Sequence, residues 1–102
     1  MEFYPRCLND RRLTHTELAA IIDALPQIIR ESIIFLNVHE NQLTALPDTI
    51  EQLTALQSLV VDGNQLTALP ETISNIRTLR EILIDHGVHI PSLRTEVQVW
   101  HV

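Results

Sequence analysis

The sequence predicts an α/β fold in which short repeats stack into a right-handed coil and place parallel strands in one sheet. The first observation is that the phrase NQLTALP occurs twice, at 41–47 and at 64–70, with an offset of 23 residues. The second is that aliphatic residues recur at the same offset on both sides of this phrase. The third is a change of spacing within each unit, from two, typical of a strand, to three, which suits a helical return segment.

The strands are expected where aliphatic residues alternate and also align between units. Two aligned sets stand out, and they are Leu36, Leu59 and Ile82, followed by Val38, Val61 and Ile84. A repeat of this length is typical of an array in which each unit buries its apolar face only against its neighbours. We therefore expect parallel strands near 35–38, 58–61 and 81–84, joined by right-handed connections.

The return segments are expected to begin at a Leu-Pro pair. After Pro70, the aliphatic residues Ile73, Ile76 and Leu79 are spaced by three. This spacing suits a helical or 3₁₀ segment, and proline is tolerated in the first turn because the N–H that it lacks has no partner there.

Together these residues resemble the leucine-rich repeat family, whose unit reads L-x-x-L-x-L-x-x-N-x-L and is followed here by x-x-L-P-x-x-I-x-x-L. The resemblance covers roughly residues 25 to 90. The Leu-Pro pair and the short units look like bacterial members of the family, including secreted effectors. The resemblance implies that Asn41 and Asn64 turn inward and bond backbone groups of adjacent turns, whereas Gly87 stands at the third such position.

One domain is expected, with an N-terminal cap at 1–25, repeats at 26–90 and a C-terminal cap at 91–102. The stretch LTHTELAAIIDAL is predicted to be an amphipathic helix, in which Thr14 and Glu17 form a capping-box pattern. This helix would cover the open apolar end of the first coil, because an array otherwise exposes its core. The alternating stretch EVQVWHV predicts one last strand.

Composition limits the class of function. The formal net charge is −6, which argues against nucleic-acid binding that needs a basic face. No apolar stretch approaches the about 18 residues of a membrane span, so we expect no membrane partner. The single cysteine, Cys7, suits a reducing compartment, and the start MEFYPRCLNDRR lacks a signal-peptide pattern. We expect a cytoplasmic protein by default, and the bacterial resemblance leaves secretion as an effector open.

Candidate binding residues lie where the repeats differ, on strand positions that the resemblance places on the concave face of the sheet. The predicted partner-binding residues are Phe35, Asn37, His39, Glu40, Ser58, Val60, Asp62, Glu81, Leu83, Asp85 and His86. Because parallel strands lie about 4.8 Å apart, equivalent residues form columns. The column that contains Val60 and Leu83 is either ordinary surface or an apolar strip for a protein partner. Trp100 extends this strip if the last strand joins the sheet, and otherwise plugs the core.

A second column consists of His39, Asp62 and Asp85. It is either a metal site, since imidazole and carboxylate are suitable ligands, or a solvated acidic strip. The acidic strip is favoured, because the spacing follows the repeat and a flat sheet rarely surrounds an ion. We predict no metal, no cofactor and no catalytic residue. Cys7 and His15 form the one thiol–imidazole pair that is close in sequence, and nothing marks a third catalytic group.

We therefore expect a noncatalytic protein-binding module that recognises a protein or peptide through its concave sheet, an expectation that rests on fold-level analogy. The alternative is a structural protein that forms a weak homodimer through an edge strand, for which EVQVWHV is the candidate. An enzyme that uses the His39, Asp62 and Asp85 column ranks behind both.

Overall fold

The alternating aliphatic stretches form the strands of a single parallel sheet. The computed structural model describes the backbone of residues 4–7 and all of residues 11–102. Within these residues the chain is an α/β structure, and its five strands follow one another across the sheet in chain order. The strands are β1 (Tyr4–Cys7), β2 (Ile33–Asn37), β3 (Ser58–Val60), β4 (Glu81–Ile84) and β5 (Gln98–His101).

The register of the central strands follows the 23-residue repeat. Leu36 pairs with Leu59, and Leu59 pairs with Ile82, between parallel strands. All three side chains are buried, and the residues on either side of each point to the other face of the sheet. The prediction of parallel strands in this register is confirmed, and so is the last strand, because β5 pairs with β4 in parallel.

The return segments lie behind the sheet. The helices α1 (His15–Ala24) and α2 (Gln27–Arg30) precede β2, and the 3₁₀ segments Asp48–Gln52 and Glu71–Asn75 follow β2 and β3. Each 3₁₀ segment begins directly after the proline of a Leu-Pro pair, as expected from the fixed φ of proline. The two 3₁₀ segments pack against each other, and α1 packs against the first. The first return therefore differs from the others in being α-helical.

Local sequence signals set the start of α1. The Thr14 hydroxyl accepts a hydrogen bond from the Glu17 backbone N–H at 3.3 Å, and a Glu17 carboxylate oxygen accepts one from the Thr14 N–H at 3.1 Å. This is the predicted capping box, and it satisfies N–H groups that have no partner inside the helix. Leu18 and Ile22 are buried on the inner face of α1, so the helix closes one end of the core.

The segment predicted as an N-terminal cap also contains a strand. β1 pairs with β2 in parallel and forms one edge of the sheet. Its sequence, YPRC, shows no alternation of apolar and polar residues, and it includes Pro5, which removes one backbone donor. Proline is tolerated in an edge strand, where one side of the strand needs no partner, so tertiary pairing decides this element.

Two asparagines join chain segments that are 21 to 30 residues apart by hydrogen bonds. Asn41 Oδ1 accepts hydrogen bonds from the backbone N–H groups of Arg11 at 2.9 Å and Leu13 at 3.0 Å. Asn64 Oδ1 accepts from the N–H groups of Asn41 and Leu43, both at 3.1 Å. The inward orientation predicted for both asparagines is confirmed, and it provides acceptors for backbone groups at a sharp turn.

At the third position, where Gly87 stands, an aspartate supplies the acceptor. Asp85 Oδ2 accepts hydrogen bonds from the N–H groups of Gly63 at 2.9 Å and Asn64 at 3.3 Å. The hydrogen-bonded series therefore continues, with a carboxylate from two residues earlier in the chain.

Candidate functional site

One face of the sheet carries side chains that point away from the core, and we call it the open face. It is formed by two rows of residues that the register places side by side across β2 to β5. The rows are Phe35, Ser58, Glu81 and Gln98, and Asn37, Val60, Leu83 and Trp100. Six of the predicted partner-binding residues thus lie on one continuous surface, together with Gln98 and Trp100.

The second row of the open face becomes apolar toward β5. Val60 pairs with Leu83, and Leu83 pairs with Trp100, so three apolar residues lie in line across β3, β4 and β5. Val60 and Leu83 are half-buried, whereas 52% of Trp100 is exposed. Trp100 therefore extends the strip and does not plug the core. Tryptophan gives a large contact area with one polar N–H, which makes it a frequent centre of binding energy in interfaces.

The first row of the open face is polar in its centre. The Ser58 hydroxyl donates a hydrogen bond of 2.8 Å to Glu81 Oε1, across the boundary between β3 and β4. Phe35 is half-buried on one side of this pair, and Gln98 is exposed on the other. The Glu81 carboxylate is therefore held in a defined position beside the apolar strip.

At the carboxyl-terminal edge of the strands, the structure brings His39 and Asp62 together. His39 Nδ1 lies 2.8 Å from Asp62 Oδ2, and His39 Nε2 lies 3.2 Å from Glu40 Oε1. An imidazole donates from both nitrogens only when it is protonated, so these two contacts favour the imidazolium form. Asp62 is only 7% exposed, whereas the Glu40 side chain is 59% exposed. A partner that reaches this edge therefore meets Glu40 first.

Asp85, the third member of the predicted column of His39, Asp62 and Asp85, makes different contacts. Its carboxylate accepts hydrogen bonds from backbone N–H groups at Gly63 and Asn64, because no asparagine occupies position 87 to provide an acceptor. The residues of the column are thus equivalent in sequence but not in contacts. Within residues 11–102, no group of three or more histidine, cysteine, aspartate or glutamate side chains is arranged to hold a metal ion.

The loops at the carboxyl-terminal edge pack closely. Gly63 has a φ of +75°, and a Cβ at this position would lie 2.8 Å from the Glu40 side chain. A side chain at position 63 would therefore displace Glu40, the most accessible acid of this edge. Nearby, the rings of His86 and His101 stack with centroids 5.2 Å apart, which connects the ends of β4 and β5.

Sequence reasoning missed His101 and Gln98 as surface residues and left the place of Trp100 open. The alternation in EVQVWHV was the available signal, but only the pairing of β5 with β4 shows which alternate residues face outward. Cys7 lies in β1, and its side chain falls outside the described residues. The thiol–imidazole pair considered for Cys7 and His15 therefore lies outside the described residues as well.

No family model matches this chain, and no curated protein sequence matches it. None of the helices in the described part of the chain is long and apolar enough to cross a membrane. The assignment of a function therefore depends on the geometry of the chain itself.

Proposed function

We propose that this chain is a noncatalytic protein-binding module, a right-handed solenoid of the leucine-rich-repeat type, that holds a protein or peptide segment on its open face. The observation that carries this proposal is the apolar strip of Val60, Leu83 and Trp100. Apolar side chains in line on the outer face of adjacent strands differ from the polar coat that a solvent-facing sheet usually has. The parallel strands and the inward asparagines support the repeat family, which the sequence resembles.

The apolar strip would supply most of the affinity. Burying apolar surface contributes about 25 cal/mol per Å² before the costs of association, and a buried tryptophan is a frequent hot spot. Strand pairing holds Leu83 and Trp100 in place, so this chain would lose little conformational freedom when a partner binds.

The acids around the strip would favour a partner with basic residues. Glu40 is exposed, and Glu81 is fixed by Ser58 beside the strip. Asp62 and Asp85 contribute less directly, since the first is buried against His39 and the second bonds backbone N–H groups. With a net charge of −6, the acidic field would act mainly on the association rate and would weaken with salt.

The test is to select binders from a displayed peptide library and to measure their affinity by titration of Trp100 fluorescence. Trp100 is the single tryptophan of the chain, so its emission reports contact at the strip. Leu83→Glu should weaken binding at least about a hundredfold, because a charge would be buried against the peptide.

The matched control is Gln52→Glu. Its affinity is measured by calorimetry, which detects binding whether or not the peptide contacts Trp100. Gln52 is exposed at the end of the 3₁₀ segment Asp48–Gln52, behind the sheet, so this variant adds the same charge far from the strip. It should bind like the parent protein, and circular dichroism should show that both variants are folded. Peptides that lose affinity with Gln52→Glu but not with Leu83→Glu would place the binding surface on the other side.

A second candidate is self-association through β5. β5 is the last strand in the order of the sheet, and its end exposes Trp100 by 52% and Val102 by 62%. An edge strand presents backbone N–H and C=O groups that can pair with a second chain. A homodimer formed in this way would join two sheets and cover part of the apolar strip.

A further inference from the structure

Apart from its five histidines, the basic residues of this chain are all arginines, and three of these arginines line one depression. The chain contains seven arginines and no lysine. A shallow depression of about 550 Å³ lies where the return segments enter β3, β4 and β5, and its wall includes Arg77, Arg80 and Arg94. We call this the arginine basin. It lies at the amino-terminal edge of the strands, opposite the edge that carries His39 and Asp62.

One guanidinium of the basin is fixed by the backbone. Arg94 Nη2 donates a hydrogen bond of 2.7 Å to the Leu79 carbonyl, with the Ile76 carbonyl at 3.5 Å. This contact satisfies carbonyl groups at the end of a return segment and orients the planar group. A guanidinium has five N–H donors, and among the described residues only Nη2 of Arg94 donates a hydrogen bond, so other donors can bind another acceptor.

The charged residues that line the basin have a small excess of positive charge. Arg77 and Arg80 are both exposed, and neither forms an ion pair with a carboxylate of the described residues. Two acids also line the basin, Glu81 and Glu96, so its lining has a formal charge of three minus two, or +1. The Glu81 carboxylate is bonded to the Ser58 hydroxyl on β3. The basin is therefore a local cationic site in a chain whose net charge is −6.

From this arrangement we infer that the arginine basin binds carboxylate groups of an acidic peptide segment. The fork of N–H donors on arginine matches the two oxygens of a carboxylate, and such charge-assisted pairs are the stronger hydrogen bonds. The depression is shallow and open, which suits side chains of a peptide that lies across the edge of the sheet. This site is distinct from the apolar strip and does not rest on the function proposed for the open face.

The test uses a fluorescein-labelled hexaglutamate peptide and fluorescence anisotropy at low ionic strength. The parent protein should bind this peptide despite its own negative charge, and the affinity should fall as salt is added. The double variant Arg77→Gln and Arg80→Gln should weaken binding at least about tenfold, as expected for the loss of charge-assisted hydrogen bonds.

The matched control removes two charges elsewhere, with Arg11→Gln and Arg30→Gln, and should change the affinity by less than about twofold if the basin is the site. Leu83→Gln should also bind the hexaglutamate peptide normally, which separates this site from the apolar strip. Absence of binding to the parent protein, or equal losses in both double variants, would overturn the proposal. Stronger binding of inorganic phosphate in competition would overturn the preference for carboxylates.

Discussion

At the scale of the residue, the inward polar side chains show how the donors and acceptors of a side chain decide which backbone groups it can bond. The side-chain oxygens of Asn41 and Asn64 accept hydrogen bonds from backbone N–H groups earlier in the chain, and their amide nitrogens donate to carbonyls, such as Asn64 Nδ2 to Val61 O at 2.9 Å. A carboxylate has acceptors only, so Asp85 can satisfy the N–H groups of Gly63 and Asn64 but no carbonyl. Asp85, which serves in place of a third asparagine, therefore supplies the acceptor of that side chain but not its donor.

Replacing Asn64 tests this account of the inward residues. Asn64→Ala should lower the free energy of unfolding by about 1–3 kcal/mol, because backbone groups of two coils lose their partner. Chemical denaturation followed by circular dichroism measures the change. Asn75→Ala is the control, since the Asn75 side chain is exposed and bonds only the Glu51 carboxylate. The control should change stability by less than about 0.5 kcal/mol. Equal stability of the two variants would contradict a structural role for Asn64.

At the scale of the element, local and tertiary determinants separate clearly in the N-terminal segment. Helix α1 is determined locally, because the Thr14 and Glu17 capping box starts it and Leu18 and Ile22 face the core. Strand β1 has no such local pattern and exists through its pairing with β2. The same holds for β5, whose alternation predicts a strand but not the neighbour that it joins.

The capping box supplies the prediction at this scale. Thr14→Ala should destabilise the protein by about 1 kcal/mol, since the Glu17 N–H loses its acceptor at the start of α1. Thermal or chemical unfolding measures the effect. Thr16→Ala removes the same atoms two residues later, at an exposed position within the helix. This variant should be neutral or slightly stabilising, because alanine favours the helix interior. A loss in Thr16→Ala as large as that in Thr14→Ala would show that the cap is not responsible.

At the scale of the whole molecule, one sheet presents three different surfaces. The open face carries the apolar strip, the carboxyl-terminal edge carries Glu40 with the His39 and Asp62 pair, and the amino-terminal edge carries the arginine basin. The two outer strands, β1 and β5, leave backbone groups at the ends of the sheet. Self-association through β5 and peptide binding on the open face would therefore compete at Trp100.

Self-association gives the prediction at this scale. Gln98 N donates to the carbonyl of Arg80, the residue before β4, at 2.8 Å, and Val102 N donates to the carbonyl of Ile84 in β4 at 2.9 Å. Alternate residues of a strand bond the same neighbour, so the N–H of His101 points away from β4. If β5 pairs with a second copy, the parent protein should gain mass with concentration in sedimentation velocity. His101→Pro should remain a monomer, because proline removes that outer donor.

His101→Ala separates the backbone from the side chain in this experiment. It keeps the outer N–H but loses the ring that stacks on His86, so it should dimerise like the parent protein. A parent protein that stays monomeric at every concentration would exclude this dimer. Loss of the dimer in His101→Ala would attribute association to the imidazole and not to strand pairing.

The sequence by itself determined the repeating part of this protein. The strands at Leu36, Leu59 and Ile82, the return segments after the Leu-Pro pairs and the inward Asn41 and Asn64 follow from a period and from local chemistry. Leu36, Leu59 and Ile82 pair with their counterparts on neighbouring strands, so these aligned aliphatic residues share a buried position. The same logic identified most of the open face, because strand alternation assigns each side chain to one side of the sheet.

Only the tertiary structure decided what happens where the repeat stops. Position 87 has no asparagine, so Asp85 turns to backbone N–H groups while Asp62 stays with His39. The pairing of β5 with β4 places Trp100 at the end of the apolar strip, and the same pairing gathers the arginine basin from separate parts of the chain. The sequence repeat predicts contacts between aligned residues of successive units. The contacts of Asp85, Trp100 and the arginine basin instead join residues that are not aligned in the repeat. The partners of these residues are therefore set by packing near the end of the sheet.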